Sequence, residues 1–84
     1  MIQVKVRTLW EGKVGVPEKR VQEGKAAREP LNICYGDGVM LVPWHELEAR
    51  VVGYSDWFHD RFGRGKYRLV YFLWKPTRQQ ETLL

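Results

Sequence analysis

The stretch KYRLVYFLWKP, residues 66–76, constrains the fold more than any other part of the chain. Seven apolar or aromatic residues stand between basic ends. In an extended backbone Tyr67, Leu69, Tyr71 and Leu73 point to one side, and Arg68, Val70, Phe72 and Trp74 to the other. Apart from Arg68 both sides are apolar. The pattern therefore predicts a strand in the middle of a sheet, covered on both faces. Tyr, Val, Phe and Trp are strand formers, and no helix cap precedes them.

Around that strand the rest of the chain must supply partners, and it has little length to do so. At 84 residues the chain predicts one domain, burying only about 60–65% of the surface its unfolded form exposes. Residues 1–76 read as the globular unit and 77–84 as a mobile tail. Cys34 is the lone cysteine, so no internal disulfide supports the fold. Packing or a partner subunit must do so. The opening MIQVKVRTLW alternates apolar and polar residues, unlike a secretion leader, and no apolar run approaches the ~20 residues of a membrane span. The reading is a cytoplasmic protein. One Ser and one Asn beside many charged residues give a thermophile-like balance.

Ile2, Val4 and Val6 alternate with Gln3, Lys5 and Arg7, which predicts a half-exposed strand over residues 2–10. Glu11-Gly12 reads as a turn, and residues 13–16 as a short return strand in a hairpin with the first. Pro17 offers a helix start with Glu18 in the first turn. That helix runs to about Arg28 and is ended by Glu29-Pro30. Two strand-forming runs, 31–35 and 39–42, flank Gly36-Asp37-Gly38 and predict a tight hairpin. Pro43, then Trp44, Leu47 and Val51 at helical spacing with Gly53 behind them, predict a helix over 43–52. Ser55 can cap a second helix over 56–62, stopped by Gly63. The expected fold is α+β: a small antiparallel or mixed sheet of four to five strands, with two to three short helices on one face.

The formal charge is +4, and its layout is uneven. Arg61, Arg64, Lys66, Arg68, Lys75 and Arg78 fall between residues 61 and 80 with no acid among them, while residues 1–60 carry eight basic and nine acidic side chains. Such segregation points to an anionic partner. Nine of the eleven aromatics lie between Trp44 and Trp74, overlapping the basic quarter. Cations for phosphates and exposed rings for base stacking are what nucleic-acid binding needs. Trp10, at a strand end, and Trp74, beside Lys75, are the candidate stacking rings.

Catalytic chemistry finds less footing. His45 and His59 fit no zinc spacing, and one Cys with scattered acids makes no four-ligand set. Ser55 and His59 are four apart, with Asp56 and Asp60 nearby, but a triad also needs an orienting acid beyond the His and an oxyanion hole. Gly36-Asp37-Gly38 and Gly63-Arg64-Gly65 match neither the phosphate-cradling loop nor the dinucleotide fingerprint. No cofactor or metal is expected.

Two short resemblances add detail. Gly65-Lys66-Tyr67-Arg68-Leu69-Val70-Tyr71 resembles the late-strand motif of RelE-like messenger-RNA-cleaving toxins. That likeness, over seven residues, implies that Arg61, Arg64, Arg68 and Tyr71 contact or cleave RNA. Gln80-Glu81-Thr82-Leu83-Leu84 is similar to the peptide by which bacterial proteins dock on the DNA polymerase sliding clamp, with Glu81 departing from the usual pattern. It implies a partner-binding tail in which Leu83 and Leu84 fill an apolar pocket and Gln80 bonds its rim.

The leading expectation is a non-enzymatic module contacting nucleic-acid phosphates through Arg61, Arg64, Lys66, Arg68, Lys75 and Arg78, with Trp74 among them. The alternatives are a protein-interaction module or homo-oligomer pairing through an edge strand, and a RelE-like ribonuclease.

Overall fold

A computed structural model describes residues 1–59, 65–76 and 78–79 of the chain. In chain order its strands are β1 (Ile2–Lys5), β2 (Lys13–Pro17), β3 (Leu31–Tyr35), β4 (Gly38–Val42), β5 (Val51–Tyr54), β6 (Phe58–His59), β7 (Lys66–Tyr67), β8 (Leu69–Leu73) and β9 (Arg78–Gln79). One α-helix, α1 (Glu18–Ala27), lies between β2 and β3, and a 3₁₀ turn covers Trp44–Glu46. The mixed α and β composition is as expected. The strand-rich division into three sheets, with one α-helix among the described residues, is not.

The first sheet has the order β1-β3-β4-β9 and the second β2-β8-β5, while β6 and β7 form a separate two-stranded ribbon. β1 runs parallel to β3, with Val4 beside Ile33, and β3 and β4 form the antiparallel hairpin that the Gly-Asp-Gly loop predicts. Parallel pairing needs a long crossover. Here residues 6–30 supply it by crossing to the second sheet, laying down β2 and returning through α1. The first two strands therefore do not form the expected hairpin, and the first ends at Lys5. Only the Trp10–Lys13 bridge remains of that hairpin. Its turn has positive φ at both central residues, 51° at Glu11 and 76° at Gly12, the combination of a type I′ turn.

α1 starts after Pro17 and ends at Arg28, whose left-handed backbone (φ 57°) lets its N–H reach the carbonyls of Gly24 and Lys25. Val21 is its buried anchor. The expected helix over 43–52 is replaced by the 3₁₀ turn and β5. Leu47 alone of the helical-spaced set is fully buried, while Val51 pairs with Phe72 of β8. β-branched residues beside an open strand edge outcompete the helical spacing. The second expected helix is likewise corrected at its start, since Phe58 and His59 are extended against Tyr67 and Lys66. Residues 60–62 lie outside the described residues.

β8 is the central strand of its sheet, as its composition predicts. Val70 and Phe72 are buried, with Val14 and Val16 of β2 beside them. With Val4, Leu31, Ile33, Met40 and Val42 of the first sheet, Val21 and Leu47, they form one core. The other face departs from expectation: Leu73 and Tyr67 are exposed, and Leu69 and Tyr71 half-buried. One face of the sheet is thus core and the other is open.

Candidate nucleic-acid interface

The open face of the second sheet is built around Tyr71. In register it stands between Gly15 on β2 and Gly53 on β5. A Cβ at Gly15 would sit 3.0 Å from Leu69 Cδ1 and 3.2 Å from Tyr71 Cε1. The glycine thus leaves room for the Leu69 and Tyr71 side chains to lie across β2, a cross-strand arrangement in which an aromatic ring covers a glycine. On the other side a Cβ at Gly53 would be 3.8 Å from Tyr71 Cδ2.

Trp10 completes the floor. Its ring centroid is 5.9 Å from that of Tyr71 at a 41° tilt, and Trp10 stays 55% exposed. The type I′ turn fixes Trp10 and Lys13 as neighbours through two 2.9 Å backbone hydrogen bonds. It also sets the Lys13 ammonium 5.0 Å above the indole. Lys5 and Arg7 come from the end of β1 and the strap that follows it. Together these residues line a groove of ≈ 310 Å³ whose walls carry Lys5, Arg7 and Lys13 and no carboxylate. Among the described residues, no acid lies within ion-pair distance of any of the three. Past Trp10 and Tyr71 the groove continues into a wider hollow of ≈ 460 Å³ bordered by Val52, Tyr54, Asp56 and Phe58.

Such a groove can hold a polyanion that also offers flat rings. A partly exposed ammonium over an indole contributes about 0.5–1 kcal/mol, whereas a nucleobase stacked on an aromatic ring contributes about 1–3 kcal/mol. A base can therefore take the place of Lys13 on Trp10, leaving its flexible ammonium to follow a phosphate.

The residues singled out from the sequence meet different fates. Arg68 Nε and Nη2 donate to the two carboxylate oxygens of Glu18 at 3.1 and 3.0 Å. Its guanidinium also lies 4.2 Å from the Tyr54 ring centroid and 4.6 Å from that of Trp57. The Glu18 hydrogen bond and charge raise its pKa above the usual guanidinium range, against the opposing effect of burial. This is a structural clamp between α1 and the segment before β6. Trp74 is half-buried against the core, edge-on to Tyr35 at 5.7 Å, and is not an open stacking surface. Lys66 and Lys75 are exposed, Lys66 on the ribbon and Lys75 beside Arg50, Val52 and Leu73. The backbone of Arg78 pairs with Val39. Arg61, Arg64 and the tail residues Gln80, Leu83 and Leu84 lie outside the described residues.

Among the described residues, none of the late cations lines this groove. The groove cations come instead from the N-terminal strand and turn. Sequence reasoning passed over them because residues 1–60 as a whole, with eight basic and nine acidic side chains, count as near neutral. The available signal was the alternation that sets Lys5 and Arg7 on one side of an extended N-terminal segment with Trp10 just beyond.

The catalytic candidates are tied up or scattered. Ser55 Oγ accepts from the Leu69 N–H and donates to the Asp56 carbonyl, both at 2.8 Å, so it splices β5 to β8. His45 and His59 are exposed. Among the described residues no three His, Cys, Asp or Glu side chains gather in a metal-binding group. No helix among them is long and apolar enough to cross a membrane. No protein-family model matches the chain, and neither does a curated protein or a solved structure.

Proposed function

We propose that this chain is a non-enzymatic nucleic-acid-binding module whose phosphate contacts are made on the open face of the β2-β8-β5 sheet. The observation that carries the reading is the convergence of Lys5, Arg7 and Lys13 on one groove without a carboxylate in its lining. The net charge of +4 and pI near 9.5 act in the same direction over longer distances. Lys66 and Lys75 are exposed and add to the field that a polyanion meets on approach. Electrophoretic mobility shift across a salt series tests the reading. Binding at low salt that weakens steeply as salt rises supports it, and no binding at low salt removes it.

A second reading is favoured by a separate observation. Val52, Phe58, Tyr67 and Leu73 are all more than 40% exposed, and exposed apolar side chains are what an interaction surface is made of. A protein-interaction surface, or self-association through the free edge of β5, would cover it. Sedimentation velocity over a wide concentration range tests the self-association: a monomer throughout removes it.

A further inference from the structure

We infer that the ligand of this face is a single strand, not a duplex, and that its bases stack on Trp10 and Tyr71. The inference rests on the phosphate-binding reading above and sharpens it. Phosphates alone would be served by cations on any convex surface. Here the cations rim a recessed floor, and the floor is aromatic. Gly15 and Gly53 flank Tyr71 on both neighbouring strands, so no side chain from either position covers its ring. The groove then opens toward Phe58, whose ring lies 5.2 Å from that of Tyr67 and which is 42% exposed. A row of part-exposed rings, with Lys5, Arg7 and Lys13 along its Trp10–Tyr71 end and Asp56 at its Phe58 end, matches an unpaired strand whose bases present their flat faces and whose phosphates follow the cationic end.

A duplex has no such faces to offer, because its bases are stacked on one another and are read at their edges in the grooves. Reading it takes a protruding helix or ribbon rich in uncommitted cations. α1 is poorly equipped for this: Arg20 is paired with Glu23 and Lys25 with Glu48, and of its three cations Lys19 alone is in no ion pair among the described residues. Arg28, at its C-terminal end, lies over the Trp44 ring. The source of the strand, DNA or RNA, is left to the same chemistry, because every base has a π-face.

The test titrates the intact chain with oligothymidylate, oligouridylate and a mixed-sequence duplex, each of about ten nucleotides or base pairs. Binding and tryptophan fluorescence are followed together. The expected result is at least a tenfold preference for one or both single strands over the duplex, with quenching of tryptophan emission. Whichever single strand binds more tightly identifies the source. Trp10→Ala should weaken single-strand binding by about 5- to 150-fold. Trp10→Phe, which retains a stacking ring, should restore most of the affinity while losing much of the quenching. Equal binding of duplex and single strands, with tryptophan emission and the Trp10→Ala affinity unchanged, would overturn the stacking inference and leave phosphate binding intact. Failure of all three nucleic acids to bind at low salt would overturn the phosphate reading itself.

Discussion

Removing Arg7 and Lys13 together should change the salt dependence of binding more than the stability of the fold. For single strands, each phosphate neutralised adds roughly 0.7 to the slope of log K against log salt. Three groove cations therefore give a slope of about −2, so a rise from about 50 to 200 mM salt weakens binding roughly 20-fold. In the Arg7→Ala/Lys13→Ala double variant only Lys5 remains in the groove, the slope falls to about −0.7, and the same salt step costs roughly threefold. Cations elsewhere would add equally to both proteins, so the difference of about 1.4 in slope is the quantity the groove determines. Arg7 is exposed and Lys13 half-exposed, and neither holds an ion pair among the described residues. Their removal should therefore move the unfolding midpoint little. Fluorescence anisotropy of a labelled oligothymidylate across the salt series measures both slopes. Parallel lines for the two proteins would refute the assignment of phosphates to this groove.

Two further predictions concern how the fold is held together. A Cβ at Gly38 would lie 2.8 Å from Trp74 Cζ2, so Gly38→Ala should displace the indole and destabilise the protein by about 1–2 kcal/mol in urea unfolding, the cost of overpacking outweighing the gain from removing a glycine from a strand. A rise in stability would mean that Trp74 is not seated there. Arg68→Lys loses the forked contact with Glu18 and the plane that lies against Tyr54 and Trp57. Its tryptophan emission should shift to the red as Trp57 is released, and an unchanged spectrum would sink the clamp. Because the Arg68 pKa is raised, its contribution is complete below the ordinary guanidinium range and is lost only in stronger alkali. The wild-type clamp should thus show no loss through Arg68 titration between about pH 6 and pH 10.

The parts of the fold legible in the sequence are those where local pattern and tertiary pairing agree. KYRLVYFLWKP marks a central strand, Gly36-Asp37-Gly38 a hairpin, and Pro17-Glu18 a helix start, and all three are found. Residues 43–52 were not legible. Trp44, Leu47 and Val51 share helical spacing, but Val51 gains more by pairing with Phe72, and Trp44 stays at the surface beside Arg28. The open outer face of β8 escaped notice for a related reason. A residue such as Tyr71 looks the same in sequence whether a helix covers it or two flanking glycines leave it half-buried beside Trp10. The groove itself joins residues from β1, the Trp10–Lys13 turn and β8. Only the long crossover that makes β1 parallel to β3 brings those together, and periodicity carries no trace of it.

Backbone amide shift mapping by NMR with an added single strand measures directly where a nucleic acid touches the protein. The predicted shifts cluster at residues 5–15 and 69–73, with α1 and the β3–β4 hairpin unmoved. Shifts centred on α1 or on β3 and β4, with the Trp10–Lys13 turn and Tyr71 silent, would contradict it.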